Sequence, residues 1–105
     1  MKEIIEEILL QVPSYTQIYI FGSVLKSNQP NDLDIIVIYD SEVYPNANIY
    51  NECKNMNQIL YETFKLPIDL TVLSYSENDS INFVKEVKGI ELKHFLQSKF
   101  LNERT

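Results

Sequence analysis

Two aspartates separated by one residue stand directly before the most apolar stretch of the sequence. Asp32 and Asp34 flank Leu33 and precede the isoleucine and valine run at 35–38. On a β-strand, residues two apart face the same side of the sheet, so the two carboxylates should project together. Two close carboxylates repel each other, and half-burying them is costly unless a positive charge lies between them. A divalent cation such as Mg²⁺, which prefers hard oxygen ligands, would remove that cost.

A third aspartate occupies the equivalent place on a later apolar segment. Asp69 follows Ile68 at the start of the segment 68–75, IDLTVLSY. If the segments 33–40 and 68–75 form neighbouring strands, all three acids meet at one end of the sheet. Three carboxylates suit a two-metal phosphoryl-transfer site, in which two hold the metals and one bridges them or deprotonates the attacking hydroxyl. An isolated pair of this kind is more simply explained as a polar turn that leads into a strand, but the third acid in the equivalent place favours the metal site.

A glycine–serine step upstream of the acids fits the phosphate side of such a site. Gly22 ends the apolar segment 17–22, QIYIFG, and Ser23 would begin a short helical turn. Glycine lets a phosphate approach the backbone closely, and the N–H groups of a following turn form an anion-binding end. The serine hydroxyl could donate to a phosphate oxygen. Lys26, in the same loop, could neutralise a phosphate or could simply be a solvated surface lysine.

The pattern of apolar residues indicates which elements must position these side chains. Apolar residues that recur every three or four positions predict helices, and short apolar runs predict strands. The predicted order is helix 2–12, strand 17–22, a short helical turn, strand 33–40, helix 49–65, strand 68–75 and two helical pieces within 77–101 that break at Gly89. The strand 33–40 is apolar on both faces and should therefore lie inside the sheet. This order predicts a small α/β or α+β fold, with residues 1–105 forming one domain.

The composition restricts the function classes. The chain has 105 residues and a net charge of −6, and its nine Lys and Arg are scattered among fifteen acids, which argues against direct binding of nucleic-acid backbones. The single cysteine, Cys53, excludes an intramolecular disulfide framework and fits a reducing compartment. The acidic opening segment is unlike a signal peptide, and no apolar run approaches the roughly 18 residues of a membrane span. We therefore expect a cytoplasmic protein without membrane association.

Three other enzyme classes do not fit the sequence. A Walker-type NTPase needs the motif G-x-x-x-x-G-K, which is absent. Metal-dependent carboxylate nucleases commonly have a lysine two residues beyond their last acid, whereas Asp69 is followed by Leu70 and Thr71. With one histidine, His94, and one cysteine, the chain lacks the ligands of the usual cysteine and histidine zinc sites.

Three short motifs occur in the order FGS, DLD and IDL, with eight residues between the first two. Together they resemble the nucleotidyltransferase superfamily of the DNA polymerase beta type. The resemblance is closest to the minimal nucleotidyltransferases of prokaryotes and covers nearly the whole chain. It implies a small fold in which helices pack on a mixed three- to four-stranded sheet. It implies that Gly22 and Ser23 hold the phosphates of a nucleotide. It also implies that Asp32 and Asp34 bind Mg²⁺ or Mn²⁺, and that Asp69 completes the metal site and acts as the base.

Two functions from different classes follow from these observations. The first is an enzyme that transfers a nucleoside monophosphate, with ATP as the expected donor, to an acceptor hydroxyl. The resemblance implies more, because minimal nucleotidyltransferases are often the antitoxin partner of a small HEPN-type ribonuclease toxin whose tyrosine they adenylylate. A hetero-oligomer with such a toxin is then one expected assembly.

The alternative is a module of the same fold that neutralises or regulates a partner protein by binding it, with little or no turnover. The loop 24–31 favours this alternative, because relatives often have a longer loop with an arginine there and this one has only Lys26. The three acids favour the enzyme.

Overall fold

The computed structural model describes residues 2–45 and 48–101, and a four-stranded sheet lies at its centre. Its elements, in chain order, are α1 (Lys2–Leu10), β1 (Thr16–Phe21), a 3₁₀ turn (Gly22–Leu25), β2 (Leu33–Tyr39), α2 (Ile49–Glu52), α3 (Lys54–Phe64), β3 (Ile68–Ser74), α4 (Tyr75–Ile81), α5 (Phe83–Glu86), β4 (Ile90–Glu91) and α6 (Leu92–Phe100). This mixed α/β architecture confirms the fold class expected from the sequence. Of the helices in the described ranges, none combines the length and apolar character that crossing a membrane requires.

The sheet is mixed, with the strand order β3–β2–β1–β4. β1 pairs antiparallel with β2 and β4, whereas β2 and β3 are parallel. Parallel neighbours need a crossover connection, and α2 and α3 form it. β2 lies inside the sheet, and its residues 35–38 are at most 1 % exposed. The interior position predicted from its continuous apolar run is confirmed.

The register of the parallel pair determines where the acidic residues lie. Leu33 is aligned with Ile68, and Asp34 with Asp69. On the other side of β2, the antiparallel pairing places Phe21 opposite Asp34. We call the end of the sheet where β1 finishes and β2 and β3 begin the acidic end. The prediction that the two acid-bearing strands are neighbours is therefore confirmed.

One face of the sheet packs against α1, α3 and α6 and forms the main core. Because side chains alternate along a strand, this face receives every second residue of β1 and β2. Its buried residues include Ile5, Ile8, Ile18, Ile20, Ile35, Val37, Met56, Leu60, Phe95 and Leu96. The helices of this layer hold β2 and β3 together by burying apolar surface on both strands and on the crossover between them.

The opposite face, which we call the second face, carries Asp34 together with Ile36 and Ile38. These two isoleucines are almost fully buried but lie outside the main core cluster. The helices α4 and α5 cover part of this face, and the ring of Phe83 in α5 meets that of Phe21 edge-on, with 5.8 Å between the ring centroids. The acidic end therefore opens onto the face that the smaller helices only partly cover.

The predicted helix over 49–65 consists of two helices in the structure. They meet at Cys53, where the backbone N–H donates both to Ile49 O at 3.1 Å and to Tyr50 O at 3.2 Å. Ile49, Cys53 and Met56 are all fully buried, so the apolar stripe continues across the junction. The spacing of apolar residues therefore does not reveal the break between the two helices. α3 ends as predicted, before Pro67.

The segment 77–101 holds three helices and a short strand, not the predicted two helical pieces. Asn82 ends α4 with a φ of 57°, a left-handed conformation that asparagine tolerates better than most residues. The Asn78 side chain accepts a hydrogen bond from the Val84 N–H at 3.1 Å and so helps to start α5. The break near Gly89 is confirmed, but it leads into β4, whose two residues are too few to produce a pattern.

The crossover predicts a contrast between two neighbouring residues of α3. Leu60 is fully buried between the sheet and the helices, whereas Tyr61 is 50 % exposed. Leu60→Ala should lower the free energy of unfolding by about 2–5 kcal/mol because it leaves a cavity. Tyr61→Ala should change it by no more than about 0.5 kcal/mol. Urea denaturation of the two variants measures both, and similar losses would contradict the assigned packing.

Candidate functional site

The three aspartates that the sequence predicts as metal ligands lie together at the acidic end. Asp32 immediately precedes β2, Asp34 is the second residue of β2, and Asp69 is the second residue of β3. One carboxylate oxygen from each lies within 4.8 Å of the others. Asp32 and Asp34 are partly buried and Asp69 is exposed, so the cluster is open to solvent on the β3 side.

This donor set fits a divalent cation. Oxygen ligands on opposite sides of one Mg²⁺ ion are about 4.2 Å apart, because each lies about 2.1 Å from the metal. The oxygens of the cluster are therefore near the separations that a bound ion requires. Carboxylates are also the ligands that Mg²⁺ and Mn²⁺ prefer.

The neighbouring acids and burial make the ionised form of Asp34 unfavourable. The pKa of Asp34 is raised from its ordinary 3.8 to about 6. The largest cause is burial, followed by the charge of Asp32, a hydrogen bond with Asp69 and the charge of Asp69. Each of these influences disfavours the ionised form, and no basic side chain in residues 2–45 and 48–101 opposes them. A bound divalent cation would supply the missing charge and keep all three carboxylates ionised.

Gly22 lies against the same carboxylate. Its backbone has a φ of +85°, which favours glycine, and a Cβ atom at this position would overlap Oδ2 of Asp34. The structure thus gives Gly22 a role that the sequence did not reveal, because the missing side chain makes room for an acid. Whether a phosphate also approaches this glycine stays a prediction.

The turn that follows Gly22 begins at the acidic end, as expected. The Ser23 carbonyl accepts hydrogen bonds from the N–H groups of Lys26 at 3.0 Å and Ser27 at 2.9 Å, which close the turn. Within the described ranges, the Ser23 hydroxyl makes no hydrogen bond and is partly exposed, so it is available to a ligand. Lys26 is exposed at the end of the turn. The roles of Ser23 and Lys26 in phosphate binding stay predictions.

Sequence reasoning missed two groups of residues beside the cluster. Phe83 stands over Phe21, the residue opposite Asp34, and nothing in the sequence placed α5 there. Thr71 and Leu73 share the second face with Asp69, since they follow it at intervals of two along β3. The second group could have been predicted from the sequence, because side chains two residues apart on β3 lie on the same face of the sheet.

The raised pKa of Asp34 predicts a pH dependence in metal-free protein. Between about pH 4 and 6 the folded state binds a proton that the unfolded chain has released, so Asp34 reduces stability as the pH rises through this interval. Asp34→Asn removes this titration. In EDTA, the melting temperature of the variant relative to that of the wild type should therefore increase between pH 4 and 6. Above pH 6 the variant should have the higher melting temperature.

Saturating Mg²⁺ should reverse this order above pH 6, because only the wild type keeps the complete ligand set and is stabilised by binding. Thermal denaturation from pH 3.5 to 8, with EDTA or with Mg²⁺, measures both effects. A difference between the two proteins that is independent of pH and of Mg²⁺ would contradict the assignment.

The contact between Gly22 and Asp34 predicts a coupling between these positions. Gly22→Ala should be destabilising, because a left-handed backbone costs an alanine about 1–2 kcal/mol and because its methyl group meets the Asp34 carboxylate. In an Asp34→Ala background only the first effect remains, so the same substitution should be less costly. Urea denaturation of the four proteins gives the coupling free energy. A value of zero would mean that the carboxylate does not constrain position 22.

A protein family and a solved structure are similar to this chain. No curated protein sequence matches the chain. A crystal structure at 1.40 Å resolution of a candidate nucleotidyltransferase from Sulfolobus solfataricus is similar, with 24 % identity, a TM-score of 0.43, and coverage of 86 % of this chain and 73 % of that one. Residues 3–94 match the family described as Polymerase beta, Nucleotidyltransferase, and this range contains the glycine–serine step and all three aspartates. The chain belongs to the polymerase beta nucleotidyltransferase family.

Proposed function

We propose that this protein transfers a nucleoside monophosphate from a nucleoside triphosphate, with ATP as the expected donor, to a hydroxyl group of a partner protein. The observation that carries the proposal is the convergence of Asp32, Asp34 and Asp69 at the acidic end, in a chain of the nucleotidyltransferase family. Catalysis of this kind depends on positioning and on neutralising phosphate charge, which a cluster of metal-binding carboxylates can support.

The three aspartates would hold Mg²⁺ or Mn²⁺. A bound divalent metal supplies charge neutralisation of the triphosphate and polarisation of its α-phosphorus. Asp69 is the exposed member of the cluster, so an acceptor can reach it from solvent. In the proposed reaction, Asp69 takes the proton of the acceptor hydroxyl as its oxygen bonds to the α-phosphorus. The bond from that phosphorus to the β-phosphate oxygen breaks, and pyrophosphate leaves.

The turn after β1 is the proposed binding site for the phosphates. It begins beside Asp34, so phosphates bound there would also lie next to the metal ligands. The Ser23 hydroxyl, which has no hydrogen-bond partner among residues 2–45 and 48–101, is a donor for a phosphate oxygen. The exposed Lys26 can bring a positive charge to the same group.

A basic protein is the proposed acceptor. The chain carries a net charge of −6, and complementary charge speeds the encounter of two proteins and makes it sensitive to salt. The resemblance to minimal nucleotidyltransferases supports a tyrosine of a HEPN-type ribonuclease toxin, which needs a basic surface to attract RNA. Adenylylation of a tyrosine near that surface would add a negative charge and a bulky base, and both would hinder RNA binding.

A second candidate is neutralisation of the same partner by binding alone. The loop 24–31 favours it, because the only basic residue of the loop is the exposed Lys26. The two candidates differ in whether the acids at the acidic end are needed for protection.

The test uses the double variant Asp32→Asn, Asp34→Asn with Asp40→Asn as its control. Asp40 lies at the other end of β2, and its Oδ1 accepts a hydrogen bond from the Glu42 N–H at 2.9 Å, which an asparagine oxygen can also accept. Each protein is incubated with labelled nucleoside triphosphates, Mg²⁺ and the product of the neighbouring reading frame. Intact mass should show one added nucleoside monophosphate with the wild type and the control. The double variant should be slower by at least about a hundredfold, because two ligands are lost.

Protection of cells that express the partner completes the test. Loss of protection in the double variant, with binding retained, supports catalysis. Full protection by the double variant, without any mass increase on the partner for the wild type, would overturn the transfer proposal and leave the binding module.

A further inference from the structure

β3 is an edge strand, and its outer side is unpaired in the part of the chain that the structure describes. Its only neighbour there is β2. The Pro67 carbonyl accepts a hydrogen bond from the Leu33 N–H at 2.9 Å, so the backbone groups of residue 67 face β2. Since this direction alternates along a strand, the N–H and C=O groups of Leu70 and Val72 face outward.

This edge is suited to pairing with another strand. Edge strands are commonly protected by lysine, proline or very short length. β3 has seven residues, IDLTVLS, without lysine or proline, and its one charged residue is Asp69. The unpaired donors and acceptors therefore form a free template that lies directly beside the candidate catalytic base.

A row of β3 side chains runs along the second face from Asp69 to a groove beside α4. Asp69, Thr71 and Leu73 form one row on this face, and Leu73 lies about 13 Å from Asp69 at about 3.3 Å per residue. At the Leu73 end, α4 borders the row beside an open, shallow space of ≈ 330 Å³, which we call the β3 groove. Its lining residues are Leu73, Ser76, Glu77, Ser80 and Ile81. Ile81 is 56 % exposed, so the groove offers apolar surface without a partner.

We propose that the β3 edge and the β3 groove together bind an extended segment of the protein that receives the nucleotide. This inference rests on the proposed function and names how the acceptor is held. The backbone of the segment pairs with Leu70 and Val72 as an added strand, a common mode of peptide recognition. One side chain presents its hydroxyl to Asp69, and another fills the groove beside Leu73.

The spacing along β3 specifies the sequence of this segment. Positions opposite Asp69 and Leu73 are four residues apart on any strand that pairs with β3, in either direction. The acceptor segment therefore carries a hydroxyl residue and a large apolar residue four positions apart. On transfer, the hydroxyl oxygen gains the nucleoside monophosphate, its proton passes to Asp69, and pyrophosphate leaves.

Charge favours a basic segment. Of the described residues that line the groove, only Glu77 is charged, and Asp69 stands at the other end of the row. Within the part of the chain that the structure describes, no lysine or arginine lines the groove. Lysine or arginine beside the hydroxyl and apolar residues of the segment would complement both acids.

Two peptides of identical composition test the spacing. The matched peptide, Lys-Leu-Val-Gln-Val-Tyr-Lys, places leucine and tyrosine four positions apart. The shifted peptide, Lys-Gln-Leu-Val-Val-Tyr-Lys, places them three apart and puts the polar glutamine at the groove position. Amide hydrogen exchange is measured without nucleotide, so the result does not depend on transfer. At a concentration about three times its Kd, the matched peptide should slow exchange at Leu70 and Val72 about fourfold. The shifted peptide should bind at least about tenfold more weakly, because its leucine falls on the other face.

A pair of surface variants tests the groove. Ile81 and Leu10 are the last residues of α4 and α1, both are exposed, and Leu10 lies outside the groove. Ile81→Lys should weaken the matched peptide by about tenfold, through lost apolar contact and repulsion of its lysines. Leu10→Lys should leave the affinity unchanged. With ATP and Mg²⁺, the wild type should also label the matched tyrosine faster than the shifted one.

Three results would overturn the inference. Equal affinity for the two peptides would contradict the proposed four-residue spacing. Equal effects of the two variants would show that the β3 groove does not bind the apolar residue of the peptide. Slow exchange at Leu70 and Val72 in the free protein, together with dimerisation in sedimentation, would assign the edge to a second copy of this chain. Absence of transfer to any acceptor would contradict the proposed function, but peptide protection of these amides would still identify the docking site.

Discussion

The parallel register of β2 and β3 is the constraint on which the candidate site depends. It aligns Asp34 with Asp69 across two strands that are joined by a long crossover, and no local interaction along the chain could bring them together. A shift of one residue would send Asp69 to the face of the main core, because side chains alternate along a strand. The buried surface of β2 and of the crossover helices opposes such a shift, so the apolar core determines the geometry of the acids.

The acidic cluster works against the stability that this core provides. Three carboxylates lie within 4.8 Å of one another, and burial together with the neighbouring acids raises the pKa of Asp34 to about 6. Gly22 adds a backbone conformation that few residues adopt easily, in order to make room for the same carboxylate. Strain and repulsion of this kind are common where a site is prepared for a ligand that will relieve them. The arrangement is therefore better explained by function than by folding.

Much of this arrangement could be predicted from the sequence, because it rests on periodicity. The apolar runs of β1, β2 and β3 and the i, i+2 spacing of Asp32 and Asp34 report directly on alternation along a strand. The break at Cys53 could not be predicted, because the buried stripe of α2 continues into α3. β4 has two residues and no pattern of its own. The contact of Gly22 with Asp34 and that of Phe21 with Phe83 depend on tertiary packing, which a single sequence does not encode locally.

The contact between Gly22 and Asp34 also limits the order in which these two positions can change during evolution. While the acid is present, a side chain at position 22 overlaps the Asp34 carboxylate, so replacing the glycine first is costly. Once the acid is lost, the steric barrier disappears, and only the positive φ still favours glycine or asparagine. Lineages that abandon catalysis and keep the fold for binding would therefore lose the acid first and the glycine afterwards. A descendant with a side chain at position 22 and an intact acid at position 34 is the combination that this geometry disfavours most.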